Sequence, residues 1–412
     1  MGSLRPAGLA KYLPEFGWEA VVLTTGLPGR QKQGYRVIET PYRESYISLK
    51  RLLGLDYRQN LMTQIAQLKK KLHIRSEKSL LDFLLTAWGE VTAYPDLQRS
   101  WRPLAVKAGN NLLQQESIDA IISTSSPVTC HIVAQELKLA HRLPWIADFR
   151  DLWTLNHYYR YSPFRKAVDR RLEHKTIREA DALVAVSQPA SLKLGTLHRG
   201  KRILCITNGF DPAEVNSPEA DVTVKFTITY TGNLYPGRQS AEPLFIALRD
   251  LIAQGLIQAS DTEVRFYGAE VGWIDKQARR HGLKDVVKQS GIVPREIALK
   301  NQRESQVLLL IKWNDPGERG AYSAKIFEYL AARRPVLAIG GYHDVVDELL
   351  HETNAGNSCH TIEEIKGRLW ELYQEYKNTG KAGFKGDTDK IDRYSQREMA
   401  QKFAGVLNSV SR

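Results

Sequence analysis

Apolar residues along the first half of this chain form short runs that alternate with stretches of helical spacing. The runs predict strands and the stretches predict helices, because apolar positions recur every second residue on a strand and every third or fourth on a helix. This alternation is typical of a parallel sheet with helices on both faces. The predicted strands cover 19–25, 118–124, 143–151, 182–187 and 202–206, and the predicted helices cover 128–141 and 165–179.

The second half repeats the rhythm. Its predicted strands cover 226–230, 264–268, 307–311 and 336–339, and its predicted helices cover 241–254, 273–281, 324–332 and 395–408. With 412 residues, the chain is long for a single domain, since domains of about 100–150 residues are the commonest. The pattern therefore predicts an α/β protein of two doubly wound domains.

The beginning of the chain departs from this rhythm. A helix is predicted from Ala7 to Phe16, ended by Gly17, before any strand. A doubly wound domain normally opens with a strand that runs into a glycine-rich turn. We therefore predict that the first strand of this domain is missing from the sequence, and we hypothesise a start site placed late. A longer open reading frame would support this hypothesis.

The segment 317–340, GERGAYSAKIFEYLAARRPVLAIG, combines a loop of small residues, a helix and a buried strand. Ser323 is a good N-cap for the helix, whose exposed amides and dipole would suit a phosphate. Lys325 and Glu328 lie three residues apart and are predicted to face whatever the loop holds. The structural alternative is a solvated Lys–Glu pair on an ordinary helix.

This segment resembles the donor-nucleotide motif of the retaining family 4 glycosyltransferases, whose GT-B fold has two Rossmann-like domains facing each other across a cleft. The shared pattern is S-x-K-x-x-E-Y-L-A-x-x-x-P-V, starting at Ser323. The resemblance implies that Glu328 binds the ribose hydroxyls of the donor and that the helix start binds its diphosphate. The family's first glutamate is replaced by Ala321, and Glu318 lies three residues upstream. The contact of that first glutamate with the donor sugar is therefore in doubt.

A second motif matches the same family at the middle of the chain. The pentapeptide N-G-F-D-P at 208–212 resembles the crossing between the two domains. The resemblance implies an acceptor-side domain at 1–210 and a donor-binding domain at 211–389. It also implies that the last helix, within 390–412, packs back on the first domain.

A third motif, T-G-N-L-Y-P-G-R at 231–238, follows a predicted strand. Bound phosphates are expected at this end of a strand in an open α/β sheet. The resemblance implies that Gly232 and Arg238 contact the donor diphosphate, because a guanidinium binds phosphate oxygens in a bidentate manner. Lys325 is predicted as the second cation, and Ser323 as the start of the phosphate-binding helix.

Two carboxylates and an arginine follow a predicted strand of the first domain, in the sequence D-F-R-D. Family members often have a histidine here, but this chain has none before His157. Asp148, Arg150 and Asp151 are therefore predicted as catalytic residues that orient or deprotonate the acceptor hydroxyl. The alternative is an internal Asp–Arg pair that caps the next helix. His131 is either a base of this kind or a packed helix histidine.

The formal net charge of +12 is unevenly distributed. Residues 1–210 contain 31 Lys and Arg against 18 Asp and Glu, so the whole excess lies in the first half. A basic surface suits nucleic acid, an anionic membrane leaflet or a phosphorylated acceptor, and it also keeps a protein soluble. The Leu-rich segment 46–113, with Trp88, Tyr94 and Trp101, predicts either an interfacial membrane contact or a helical insertion whose aromatics are core.

Several classes of protein lack support in the sequence. No apolar run reaches the length of about 18 residues that a transmembrane helix needs. Three scattered cysteines are too few for a disulfide framework or a zinc site, which favours a reducing cytoplasm. No H-x-x-x-H pattern is present, so no metal or other cofactor is expected, and no G-x-x-x-x-G-K-[ST] loop indicates an NTPase.

The motifs together predict a glycosyltransferase that moves a sugar from a nucleotide-sugar donor to a hydroxyl acceptor, with retention of configuration. Polysaccharide or glycolipid synthesis at the inner face of the membrane is the predicted setting, with no nucleic acid as partner. Two alternatives stay open. A nucleotide-sugar 2-epimerase has the same fold and needs no acceptor. A non-catalytic relative would bind anionic membranes or nucleic acid in a salt-sensitive way.

Overall fold

The computed structural model describes residues 3–26, 34–42, 94–159, 161–215 and 221–411. The strands are Val21–Thr25 (β1), Arg36–Thr40 (β2), Ile121–Ser125 (β3), Trp145–Phe149 (β4), Ala182–Ala185 (β5), Ile203–Cys205 (β6), Phe226–Thr231 (β7), Thr262–Tyr267 (β8), Val287–Gln289 (β9), Val307–Ile311 (β10), Val336–Ile339 (β11) and Gly356–Cys359 (β12). Every pairing between these strands is parallel.

The α-helices alternate with the strands, as the sequence pattern predicts. They are Leu4–Tyr12 (α1), Arg102–Gln115 (α2), Thr129–His141 (α3), Pro163–Ile177 (α4), Gln188–Leu197 (α5), Pro212–Val215 (α6), Glu242–Ala253 (α7), Gly272–Arg280 (α8), Arg295–Glu304 (α9), Ala324–Ala332 (α10), Val345–Thr353 (α11), Ile362–Thr379 (α12), Thr388–Asp392 (α13) and Gln396–Val410 (α14). The bounds of β10, α10 and β11 coincide with the predicted ones. Strand β12 has no predicted counterpart, because G-N-S-C has little apolar character and becomes a strand by pairing with β11.

The strands of the first domain fall into two sheets. One contains β1 and β2, and the other has the order β3-β4-β5-β6. Among the described residues, β1 pairs only with β2 and β3 pairs only with β4. One edge of β1 and one edge of β3 are therefore without a strand partner in this part of the chain.

An apolar cavity of about 290 Å³ lies between β1 and β3. Its lining includes Leu9 of α1, Leu23 of β1, Ile121 of β3 and Val133 of α3. This cavity separates the two sheets of the first domain, and the missing first strand stays a prediction.

The second domain is built on a six-stranded sheet of order β12-β11-β10-β7-β8-β9. Buried apolar clusters cover both of its faces, one formed with α7 and α12 and the other with α10 and α11. The chain leaves β7 toward β8 and β9 and then returns to β10 on the other side. Loops that follow β7 and β10 therefore diverge, and this divergence opens a crevice in which ligands of such sheets bind.

The chain crosses between the domains at two adjacent points. Phe210 donates its amide to the carbonyl of Tyr394 and accepts from the amide of Gln396. After this second crossing, α14 packs its apolar face against α1, with Phe403 and Leu9 in the same buried cluster. The last helix of the chain is thus part of the core of the first domain.

Two aromatic residues of the predicted insertion pack within the fold, Trp101 in the core and Tyr94 partly buried. Trp101 is buried and donates its indole N–H to Thr40 at 2.6 Å. The guanidinium of Arg165 lies 4.6 Å from the centre of the Tyr94 ring. These contacts favour the core interpretation over a membrane contact for these two residues, whereas Trp88 lies outside the described residues. No helix in the described part of the chain is long and apolar enough to span a bilayer.

Candidate active site

A cleft of about 400 Å³ opens between the two domains at the carboxyl ends of β4, β7 and β10. Five basic side chains line it, against three acidic ones, so the cleft suits an anionic ligand. The basic residues are Arg150, Lys193, Lys312, Arg319 and Lys325, and the acidic residues are Asp151, Asp315 and Asp344. The predicted residues Arg150, Asp151, Ser323 and Lys325 are thereby brought together from opposite sides of the cleft.

Lys325 is the most distinctive side chain of the cleft. Its ammonium lies 5.1 Å from the centre of the Tyr230 ring, and among the described residues it has neither a hydrogen-bond acceptor nor an ion-pair partner. Burial lowers the pKa of Lys325 to about 8, which the charge of Glu328 offsets only in part. A desolvated cation that faces a cleft is suited to an anion that arrives from solvent. The alternative of a solvated Lys–Glu pair does not fit this burial.

Gly232 lies against the stem of this lysine. Its backbone has a φ of 114°, and a Cβ added there would come within 2.3 Å of Cε of Lys325. Any side chain would therefore displace the lysine, in addition to the strain of a left-handed backbone. Gly232 itself is absent from the lining of the cleft. Its lack of a side chain leaves the space that the stem of Lys325 occupies.

The N-terminus of α10 is open toward the cleft. Ser323 precedes the helix as predicted, but its side chain does not cap the helix. Within the described residues, the amides of Ala324 and Lys325 donate to no protein acceptor. The first amides of a helix need an acceptor or water, and the helix dipole favours an anion here. Ser323 is therefore at the predicted N-cap position, but the predicted capping hydrogen bond of its side chain is absent. The two amides that donate to no protein acceptor are the groups that a phosphate would bind.

Glu328 lies one turn farther along α10 and is absent from the lining of the cleft. Its carboxylate accepts from Arg295 at 3.3 Å and from Gln302 at 3.4 Å, both on α9. These contacts use two of about four lone-pair positions on the carboxylate. The remaining positions leave Glu328 able to accept from a pair of hydroxyls, as the resemblance implies.

Arg238 is absent from the lining of the cleft and packs against two aromatic rings that line it. Its guanidinium lies 4.3 Å from the centre of the Tyr158 ring and 5.1 Å from that of Trp313. Tyr158 belongs to the first domain and Trp313 to the second, so the arginine joins the two walls of the cleft. The contact of Arg238 with the diphosphate stays a prediction. The structure shows cation–π contacts of its guanidinium with the two rings.

The loop before α10 is held against the first domain. A Cβ at Gly317 would come within 2.7 Å of His157, and one at Gly320 would come within 2.8 Å of Pro189. The hydroxyl of Ser187 donates to the carbonyl of Gly320. The small residues of this loop therefore permit a close approach between the domains, whereas the sequence suggested an approach to a ligand.

Asp148 does not reach the cleft. Its carboxylate is fully buried, and both oxygens accept from Arg5 at 2.8 Å. The same guanidinium donates to the carbonyls of Ile206 and Thr207, next to the interdomain crossing. Asp148 is therefore a structural residue, and the prediction that it acts on the acceptor is corrected. The alternative of an internal Asp–Arg pair holds, although the arginine is Arg5 on α1 and no helix is capped.

Arg150 and Asp151 do line the cleft, on the side of the first domain. Arg150 donates to the carbonyl of Ser126 at 2.5 Å. The backbone of Asp151 is fixed at both ends by Ser125, which accepts from its amide at 3.3 Å and donates to its carbonyl at 3.2 Å. Its side chain is exposed and lines the cleft, and its predicted action on the acceptor hydroxyl stays a prediction.

The family of the chain follows from its sequence. Residues 4–209, half of the chain, match the sequence model of the glycosyl transferase 4-like domain. The chain belongs to this family. It is a glycosyltransferase, and the predicted enzyme class is confirmed. No curated protein sequence matches the transferase significantly.

Solved structures show the same fold at low sequence identity. Anabaena HepE in complex with UDP and glucose has a TM-score of 0.60 and 15% identity, over 99% of this chain and 96% of that chain. Sucrose-phosphate synthase from Thermosynechococcus elongatus has a TM-score of 0.61 and 12% identity, over 97% of this chain and 91% of that chain. A glycosyltransferase from Rickettsia africae has a TM-score of 0.53 and 13% identity, over 99% of this chain and 95% of that chain. The predicted GT-B fold of the transferase is thereby confirmed.

Several cleft residues of the transferase were not predicted from the sequence. Tyr158, Lys312 and Trp313 line the cleft outside any quoted motif, and Arg319 lines it from the segment 317–340 without having been predicted as a site residue. A usable signal exists for Lys312 and Trp313, because they directly follow the fully apolar strand β10, where a parallel sheet presents its ligand-facing loops. His157 also lines the cleft, with its imidazole 3.9 Å from the carboxylate of Asp315 on the opposite wall.

His131 is a packing residue of the transferase. It is fully buried between Trp145 and Phe149, and it is absent from the cleft. The indole of Trp145 donates to the hydroxyl of Ser123 at 2.7 Å, and this hydroxyl lies 2.7 Å from Nδ1 of His131. Nε2 of His131 has no hydrogen-bond partner among the described residues, so the contact with Ser123 is the one that orients the imidazole.

We expect this histidine to make the transferase unstable in mild acid. Burial lowers the pKa of His131 to about 4, and the nearby Asp148 offsets only part of this effect. The unfolded state takes up a proton near pH 6.5 and the folded state does so only near pH 4, so stability falls as the pH falls between these values. The loss is about 3 kcal/mol.

Urea unfolding at pH 7 and at pH 4.5 measures this loss. His131→Gln keeps an acceptor for Ser123 and removes the titrating group, so its stability should fall less over the same range. An equal fall in both proteins would contradict the assignment.

Proposed function

We propose that the transferase binds a UDP-sugar across the N-terminus of α10 and transfers the sugar, with retention of configuration, to a hydroxyl of an acceptor that enters along the first domain. The observation that carries the donor site concerns Lys325 and the start of α10: within the described parts of the chain, its ammonium has no acceptor or ion-pair partner, and the amides of Ala324 and Lys325 donate to no protein acceptor. The choice of UDP is supported by HepE, which is described in complex with UDP. Retention rests on the family resemblance.

The diphosphate is the part of the donor that this geometry fits best. Two free backbone amides, the positive end of the helix dipole and a desolvated ammonium converge on one side of the cleft. As the bond to the sugar breaks, negative charge grows on the leaving diphosphate, and fixed positive groups stabilise that charge without having to reorganise. In this proposal Lys325 and the α10 amides assist departure of the diphosphate, and Arg238 joins them once the donor draws it from its rings.

The nucleoside lies toward the crevice between α9 and α10. Glu328 accepts from the two ribose hydroxyls, while Arg295 and Gln302 hold its carboxylate in place. Arg295 also forms an ion pair with Glu214, so its side chain is fixed from a second direction. A carboxylate oriented in this way binds a ribose diol with little loss of side-chain entropy.

The acceptor hydroxyl is proposed to meet Asp151, which orients or deprotonates it. Arg150 and Lys193 flank this end of the cleft and suit an acceptor that carries phosphate. A phosphorylated or lipid-linked glycan at an anionic membrane surface is consistent with the basic first half of the chain. The first glutamate of the family motif is replaced by Ala321, which lines the cleft, so the donor sugar has to be held by other groups.

Calorimetric titration of UDP, GDP and ADP tests the donor site. We expect saturable binding of UDP, and we expect Glu328→Ala to weaken it by about 10-fold or more, since hydrogen bonds to a charged group contribute about 1.5–3 kcal/mol. Glu304→Ala is the matched control, because Glu304 lies on α9 and pairs with the exposed Lys300. This control should bind UDP as the unchanged protein does.

The products of the reaction separate the remaining alternatives. Sugar transfer that requires an added hydroxyl acceptor supports the proposal, and the anomeric configuration of the product tests retention. An epimerised sugar nucleotide that forms without acceptor would establish a 2-epimerase instead. Absence of nucleotide binding by a folded protein would contradict the donor site altogether.

A further inference from the structure

Two histidines and an aspartate converge on the outer side of the second domain. His343 lies in the loop after β11, Asp347 lies in the first turn of α11, and His360 directly follows β12. Strands β11 and β12 are paired in parallel up to Ile339 and Cys359. The segments that follow them therefore leave the sheet side by side, which explains why residues 17 positions apart in sequence meet.

The ligand atoms of these residues are close to one another. Oδ2 of Asp347 lies 3.0 Å from Nδ1 of His343 and 2.8 Å from Nε2 of His360. All three ligand atoms lie within 4.8 Å of one another, and the two imidazole rings are 4.2 Å apart between their centres. In a tetrahedral site with metal bonds of about 2.0–2.1 Å, ligand atoms are roughly 3.3 Å apart. The observed positions reach this geometry with shifts of about an ångström.

The other oxygen of the carboxylate is held by the protein. Oδ1 of Asp347 accepts from Ser358 at 2.6 Å and from Lys312 at 2.5 Å. The charge of Lys312 is balanced by Asp344, which lies 3.1 Å from the ammonium. Ligand carboxylates are typically oriented by outer hydrogen bonds of this kind. The two oxygens of Asp347 thus have separate tasks, with one fixed by the fold and the other directed at two imidazoles.

We propose that His343, Asp347 and His360 bind a divalent transition-metal ion, with Zn²⁺ as the ion that this ligand set fits best. Imidazole nitrogen and carboxylate oxygen are common zinc ligands, and three of them leave a fourth position for water. The adjoining surface cleft of about 540 Å³ leaves room for that water. The site was missed in the sequence because its pattern is H-x-x-x-D followed by a histidine 13 residues later.

The three ligands do not line the active-site cleft between the domains. The ion would therefore affect that cleft only through the protein residues that connect the two. Lys312 and Asp344 line the cleft, as does Tyr342, whose carbonyl accepts from Lys312. A metal ion on Asp347 would tie the loop after β11 to the end of β12, and so fix one wall of the cleft. This inference is independent of the proposed donor, because metal binding is measured without nucleotide.

Zinc titration of the tag-free, full-length protein after removal of metals tests the site. Calorimetry should show one equivalent of Zn²⁺ bound, and Co²⁺ should give the visible absorption of a tetrahedral site. His343→Ala and His360→Ala should each weaken Zn²⁺ binding by more than about 100-fold, because loss of an outer partner alone costs about 10- to 100-fold. His343 has a side-chain exposure of 87%, so its replacement leaves the fold intact.

His351→Ala is the matched control, since His351 lines the same surface cleft and is outside the cluster. It should bind Zn²⁺ as the unchanged protein does. Zn²⁺ should also raise the Tm of the unchanged protein and of His351→Ala, but not that of His343→Ala. Absence of Zn²⁺ binding, or binding that survives His360→Ala, would show that the cluster is only a set of His–Asp hydrogen bonds.

Discussion

Replacing Lys325 with methionine lowers the affinity of the transferase for UDP by about 10- to 150-fold, because a charge-assisted hydrogen bond of about 1.5–3 kcal/mol is lost. Transfer should fall by at least the same factor, since the ammonium also faces the charge that develops on the leaving diphosphate. Methionine keeps the length of the stem beside Gly232 and removes a desolvated charge. The variant should therefore fold at least as stably, and calorimetry with UDP measures a binding effect alone.

The pH dependence of the same titration gives an independent check. The pKa of Lys325 is lowered to about 8, and a bound diphosphate would raise it again. Affinity for UDP should therefore decrease as the pH rises above about 8, and this decrease should vanish in Lys325→Met. Lys193→Met is the control, since Lys193 also lines the cleft but is exposed. Unchanged UDP affinity in Lys325→Met would contradict the proposed diphosphate site.

Replacing Arg5 with methionine should destabilise the transferase by about 3–5 kcal/mol, because it leaves the carboxylate of Asp148 buried without a partner. Arg5 is only 3% exposed and Asp148 is fully buried. The carbonyls of Ile206 and Thr207 lose a donor as well. A change of this size is a large part of the 5–15 kcal/mol by which domains are usually stable. Urea unfolding at pH 7 measures it.

The double variant Arg5→Met/Asp148→Leu distinguishes a buried charge from a lost contact. It should recover part of the lost stability, since an apolar pair often replaces a buried ion pair at little cost. Arg397→Met breaks the exposed ion pair with Glu15 and should cost less than about 1 kcal/mol. A loss below 1 kcal/mol in Arg5→Met would show that the buried pair is not structural in this sense.

Much of the site on the second domain could be predicted because its residues are local in sequence. Ser323, Lys325 and Glu328 lie within six residues, so helical spacing alone places them at one helix start. The strand after Pro335 is apolar enough to predict its burial, and its bounds are correct. The parallel α/β architecture is likewise visible from the alternation of short strands and helices, since each period reflects which face of an element is buried.

The first-domain side of the cleft depended on long-range pairing, which sequence spacing does not reveal. Asp148 and Asp151 look equivalent along the chain, yet one points inward to Arg5 and the other outward to the cleft. Arg5 lies 143 positions from its partner, so nothing near Asp148 signals the pair. The cluster of His343, Asp347 and His360 likewise forms only because β11 and β12 are neighbours.

The sequence by itself determined the fold class, the family and the helix that presents Lys325, because these follow from local periodicity and contiguous motifs. Tertiary structure decided which charged groups are paired, buried or free. Among the described residues, Lys325 and Asp151 line the cleft, whereas Asp148 is buried against Arg5. This difference follows from the packing of whole domains.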